Sequence, residues 1–111
     1  MPKRQRKKSQ KKRYMVVEHI KDAAAVYQRL WDRGRILPNG LLLRSVWFEE
    51  NVERGYRLVQ THDRRLLDEW MANWNDLIEF EVCPVITPEE AGEKVAAQIR
   101  SSSARRSAGP V

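Results

Sequence analysis

Two histidines, one cysteine and four tryptophans are the side chains in this sequence best suited to chemistry or to holding a flat ligand. Imidazole titrates near neutral pH, so His19 and His62 are the first acid/base candidates. His19 follows Glu18 in YMVVEHI, residues 14–20. Successive strand residues point to opposite faces, so these two do not pair by themselves. A histidine in an apolar cleft, oriented by a carboxylate, would serve as a general base, which makes His19 the catalytic candidate. A surface or interface histidine with no catalytic role is the plainer alternative. Trp47 lies between Val46 and Phe48. If the following turn is centred near Val52, Trp47 opposes Arg57, and the guanidinium stacks on the indole. Trp47, Arg57 and Trp70 are therefore the ligand-binding candidates, Arg57 as anion anchor and the indoles as walls. Ordinary cross-strand and core packing compete with that role. Cys83 precedes Pro84 in an apolar run and is expected to be a buried, inert thiol.

Motifs of fixed spacing are missing. There is no Gly-rich phosphate loop, no metal-spaced Cys/His cluster and no G-x-S-x-G. The expectation is a protein with no cofactor and no metal site.

A second kind of chemistry sits in MPKRQRKKSQKKR, residues 1–13. Lys3, Arg4, Arg6, Lys7, Lys8, Lys11, Lys12 and Arg13 give it a charge of +8, with no acid among them. The whole chain of 111 residues is only +6, and residues 14–100 carry a net −4. A nucleic-acid-binding domain normally carries its positive charge on its folded surface. Here the basic charge belongs to the ends. Such a tail would bind phosphates by counterion release, without sequence preference. It has no aromatic residue for stacking on single-stranded bases. Three readings stand: a tether to nucleic acid or another acidic partner, a solubilising disordered end, or translation starting at Met15.

The single cysteine allows no internal disulfide, and no run is long enough to span a bilayer. The basic start has no apolar segment after it, as a secretory signal would. A cytoplasmic protein is the expectation.

These candidates need elements to position them. Residues 14–20 read as a first strand. Asp22 caps a helix whose apolar positions are Ala23, Val26, Tyr27, Leu30 and Trp31, ended by Gly34. LLLRSVWFEE (41–50) and GYRLVQT (55–61) read as a hairpin. Asp63 caps a second helix carrying Leu66, Leu67, Trp70, Met71 and Trp74 on one face. LIEFEVCPVI (77–86) is a fourth strand, which Pro84 confines to an edge. Thr87, Pro88 and Glu90 start a third helix running to about Arg100, with a disordered tail over 101–111.

The order β-α-β-β-α-β specifies a ferredoxin-like α+β domain over 14–86, sheet order 4-1-3-2, with both helices on one face. Antiparallel pairing then brings Glu18 or His19 toward Arg57 or Glu79, and puts His19 and His62 at opposite ends of the sheet. Trp31, Trp70 and Trp74 are expected to face the sheet. Strands apolar on both sides imply that both sheet faces are buried. The helices cover one; a homodimer, sheet against sheet, is expected to cover the other.

RYMVVEHI, GRILPNGL, SVWFE and above all DEWMANWNDLIEFEV (68–82) resemble a family of small proteins named for domain of unknown function 3303. The resemblance covers about residues 13–90. It implies the dimeric α/β-barrel superfamily, and no established reaction. Family members usually begin near Tyr14 and carry a larger residue where Gly55 stands, so the basic tail and Gly55 are departures.

Two functions follow as expectations. The first is a barrel holding a small organic ligand, as cofactor-independent oxygenases and isomerases of that superfamily do. The second is a non-catalytic dimer that offers its basic tails to nucleic acid or another acidic partner. Neither involves a membrane.

Overall fold

The computed structural model describes residues 11–108, of which 103–108 are described as helical backbone alone. The elements are β1 (Lys12–Ile20), α1 (Ala23–Arg33), β2 (Leu42–Phe48), β3 (Arg54–Thr61), α2 (Arg64–Ala72), β4 (Ile78–Val85) and α3 (Pro88–Ala108). The strands form one antiparallel sheet in the order β2-β3-β1-β4. This is the α+β arrangement and strand order that the sequence predicts, with Pro84 on the edge strand β4. Each helix start is chemically specified. Asp22 accepts from the Ala25 N–H at 3.1 Å and Asp63 from the Arg65 N–H at 3.0 Å. Thr87 and Glu90 exchange the two bonds of a capping box at 2.9 and 3.1 Å. Gly34 ends α1 at φ 73°, where a side chain would be strained.

Alternation along β1 decides the core. Tyr14, Val16 and Glu18 are buried under the helices, while Met15, Val17 and His19 face the other way. Val59, Ile78 and Leu41 join the covered face, and Val26 of α1 with Leu67, Trp70 and Trp74 close over it. Arg29 of α1 clamps the turn after α2. It donates two hydrogen bonds to the Asp76 carboxylate at 2.8 Å and a third to the Asn73 carbonyl.

The structure corrects several expectations. Trp31 is 75% exposed, because it falls at the margin of the short apolar face of α1 rather than under it. Cys83 is exposed, since it shares the uncovered face of β4 with Glu79 and Glu81. Lys12 and Arg13, counted with the basic tail, are the first residues of β1, paired with Thr61 and Gln60. Arg13 also reaches Glu90 at 3.3 Å. Lys3, Arg4, Arg6, Lys7 and Lys8 lie outside the described residues. The third helix passes Arg100 and continues to Ala108. It makes little contact with the rest of the fold, and its Val95 and Ile99 are exposed.

Candidate functional site

Between α1, α2 and the covered face of the sheet lies a recess. Its floor is Glu18 and Arg57, its walls are largely aromatic (Tyr27, Phe48, Trp70 and Trp74), and Arg35 stands at its rim. The space that the centre of a water-sized sphere can occupy is about 20 Å³. That is room for roughly one water centre. Counted out to its open mouth the space is about 350 Å³.

Glu18 reaches this site because its position in β1 has the parity of Tyr14 and Val16. It is 1% exposed, a carboxylate inside an apolar stripe. Arg57 Nε donates to Glu18 Oε2, and the Arg57 guanidinium lies over the Trp70 ring at 5.2 Å. Oε1 of the same carboxylate is buried and has no hydrogen-bond partner. Burial pushes the Glu18 carboxyl above its usual range, against the opposing pull of the Arg57 charge and hydrogen bond. Gly55 supplies the space. A Cβ there would stand 2.9 Å from both Glu18 Oε1 and Phe48 Cε1. The residue paired with both Glu18 and Phe48 across the sheet is therefore the one that must lack a side chain.

A second buried polar atom without a partner is on Trp74, another residue of the recess lining. Trp74 is 4% exposed, and its Nε1–H donates to nothing. The neighbouring Trp70 indole N–H is satisfied by the Arg35 carbonyl at 3.0 Å. That bond ties the α1–β2 connection to α2. Ile36, next along the connection, sits at φ 57°, a costly conformation for a β-branched residue. The Arg35 side chain is exposed and makes no hydrogen bond or ion pair with the described residues.

The four site residues expected from the sequence are divided by the sheet. Arg57 and Trp70 meet in the recess. His19 lies on the opposite face, where Nε2 is within hydrogen-bond distance of Glu81 Oε2. Trp47 is on that opposite face too and is 70% exposed. The register explains the division. Trp47 pairs with Tyr56, and Arg57 pairs with Val46. The hairpin is centred between Asn51 and Val52, half a residue earlier than a turn on Val52. A one-residue change of pairing moves a side chain to the other face. Of the predicted approaches, Glu18 to Arg57 is the one formed inside the fold. His62 is exposed beyond the far end of β3.

Glu18, Arg35, Tyr27, Phe48 and Trp74 were not among the site residues read from the sequence. Glu18 had a signal, since it interrupts the apolar alternation Tyr14, Val16, Ile20. Trp74 had a partial one, its place on the apolar face of α2, and Arg35 had none, because its position depends on how the α1–β2 connection packs. Among the described residues no group of three acidic, His or Cys side chains is placed to hold a metal ion. No helix among them is long and apolar enough to cross a membrane.

Comparisons with curated proteins and with solved structures give no match. The model of a family described as a domain of unknown function, DUF3303, matches residues 12–99, and the chain belongs to that family.

Proposed function

We propose that the chain binds a small organic ligand in the recess between its helices and sheet, with Glu18 as the acid/base group and Arg57 and Trp70 orienting it. The carrying observation is the carboxylate itself. One oxygen is fixed by Arg57, the other is buried and unpartnered, and Glu18 is one of the residues that line the recess. Leaving a buried polar atom unpaired costs free energy, and such sites recur where a ligand or water completes the set. A carboxyl whose pKa is raised by burial holds its proton to higher pH than a free one, as an acid/base group requires. His19 and Trp47, on the other face, are assigned to the surface where a second copy docks. That face carries Met15, Val17, Leu42, Tyr56 and Leu58, all at least partly exposed among the described residues.

A fragment screen on the full chain, read by the four indole N–H resonances, tests the site. Ligands of the recess shift Trp70 and Trp74 and leave Trp31 unmoved, and Glu18→Gln alters their affinity. A screen in which no fragment moves Trp70 or Trp74 overturns the reading.

The charge division between the first thirteen residues and the rest favours a second reading, a dimer presenting basic tails to nucleic acid. Removing residues 1–10 preserves β1 and deletes five of the eight cations. Full engagement of all eight gives a log–log salt slope of up to about −7 on duplex DNA. The deletion then reduces the slope by about 4 to 5. A slope unchanged by the deletion removes the tail from consideration.

A further inference from the structure

Four asparagines occur in the chain, and one of them, Asn39, is followed by glycine. The backbone nitrogen after an asparagine can close a five-membered ring on the side-chain carbonyl carbon. No distant residue is needed for that. Room at the nitrogen and freedom of both groups decide whether it happens, and Asn39 has both. Pro38, Asn39, Gly40 and Leu41 form the turn before β2, closed by the Leu41 N–H on the Pro38 carbonyl at 3.2 Å. Asn39 and Gly40 are exposed. Among the described residues neither the Asn39 side chain nor the Gly40 N–H makes a hydrogen bond. Gly40 takes φ 98°, and without a Cβ it leaves the approach to its nitrogen open.

The other three asparagines lack this combination. Asn51 precedes the stiff, β-branched Val52, and its Oδ1 accepts from the Glu53 N–H at 3.1 Å. Asn73 precedes the bulky Trp74, and its Nδ2 donates to the Glu69 carbonyl at 3.1 Å. Asn75 precedes Asp76, which Arg29 clamps. The place of Asn39 in the fold also matters. A Cβ on Gly40 would stand 3.0 Å from Leu66 Cδ1, so this turn packs against α2. Leu41, next in the chain, is 4% exposed and belongs to the core.

We propose that Asn39 is a modification site, at which the folded protein converts asparagine to aspartate and isoaspartate through a cyclic imide. Solvent base takes the proton of the Gly40 nitrogen, which attacks Asn39 Cγ. The N–Cγ bond forms, the Cγ–Nδ2 bond breaks, and the amide nitrogen leaves as ammonia with a proton from water. Water then opens the imide. Addition at Cγ gives aspartate, and addition at the main-chain carbonyl gives isoaspartate. Either product carries one new negative charge. Isoaspartate alone routes the main chain through the former side chain and lengthens it by one methylene. The insertion falls between the core residue Leu41 and the connection that Trp70 holds by the Arg35 carbonyl. A turn packed on Leu66 has little slack to absorb it.

The test is incubation of the full chain in mildly alkaline buffer, with samples digested by trypsin and weighed. Residues 36–44 leave as one peptide, cut after Arg35 and Arg44. That peptide is expected to show the mass gain of amide-to-acid exchange and to split into two separable products. The gain is at least tenfold faster than in the peptides holding Asn51, Asn73 and Asn75. Gly40→Ala slows it at least tenfold. The comparison among the chain's own asparagines needs no variant, so it stands if Gly40→Ala fails to fold. The isoaspartyl chain is then separated and compared with Asn39→Asp, which has the charge without the extra methylene. The isoaspartyl chain is expected to unfold at lower urea and to shift the Trp70 indole N–H resonance. An Asn39 that reacts no faster than the other three overturns the site. An isoaspartyl chain that unfolds like Asn39→Asp, with Trp70 unmoved, overturns the effect on the turn.

Discussion

Arg57 holds one oxygen of the buried Glu18 carboxylate, so removing Arg57 has an effect whose size depends on pH. In Arg57→Met the buried carboxyl loses its counter-charge, and its pKa moves further above the unfolded value near 4.5. The folded state then binds more protons than the unfolded one, so stability falls as pH rises. The variant is expected to lose about 3 kcal/mol near pH 8, the low end for breaking a buried ion pair. The loss shrinks as pH falls toward 4.5, which urea unfolding at several pH values measures. Gly55→Ala tests the space beside the same carboxylate. The added methyl meets Glu18 Oε1 and the Phe48 ring at 2.9 Å. Overpacking of this kind costs about 1–3 kcal/mol. The expected readouts are a lower unfolding midpoint and shifted Trp70 and Trp74 indole resonances; an alanine variant as stable as the parent would show that Phe48 yields freely.

At the scale of elements, the helices differ in what they depend on. α1 and α2 are joined by the Arg29–Asp76 clamp, and its hydrogen bonds lower the Asp76 carboxyl to about 2. A depressed carboxyl contributes stability above its unfolded value of 3.8 and loses it as pH falls toward about 2. Acid titration is expected to release the clamp in that window, seen as faster amide exchange at Asn73 and Asp76. α3 hangs on its cap instead of on packing. Thr87→Ala removes one bond of the capping box and costs the helix about 1 kcal/mol. Because α3 touches little of the core, helicity measured by circular dichroism falls while the unfolding midpoint of the sheet domain stays put.

For the whole molecule, the uncovered sheet face sets the expected assembly. Trp47 is 70% exposed there, surrounded by partly exposed Tyr56 and Leu58. Exposed apolar surface of this kind marks an interaction site. A two-fold axis would place the same patch on both copies. The full chain is expected to sediment as a dimer and Trp47→Glu as a folded monomer. Trp31→Glu, at an equally exposed tryptophan on α1, is expected to leave the dimer intact. A parent chain that sediments as a monomer rules out the assembly.

The sequence by itself determined the order of elements, the strand order and the helix caps, because each rests on local chemistry. Asp22, Asp63 and the Thr87–Glu90 box act within one turn, Pro84 excludes a central strand, and short connections leave few topologies. It also carried the Glu18–Arg57 approach, which follows from antiparallel pairing of β1 with β3. What it did not determine was which face a side chain occupies after a turn. A hairpin centre shifted by half a residue put Trp47 and Arg57 on opposite sides of the sheet. Only the tertiary structure decided which face of β1 the helices cover, and so that the recess holds Glu18 and not His19. It also decided that Trp31, expected to be buried with Trp70 and Trp74, stays in solvent, and that Arg35 reaches the rim. Those outcomes depend on how two helices pack across a sheet, and no periodicity within either helix records that.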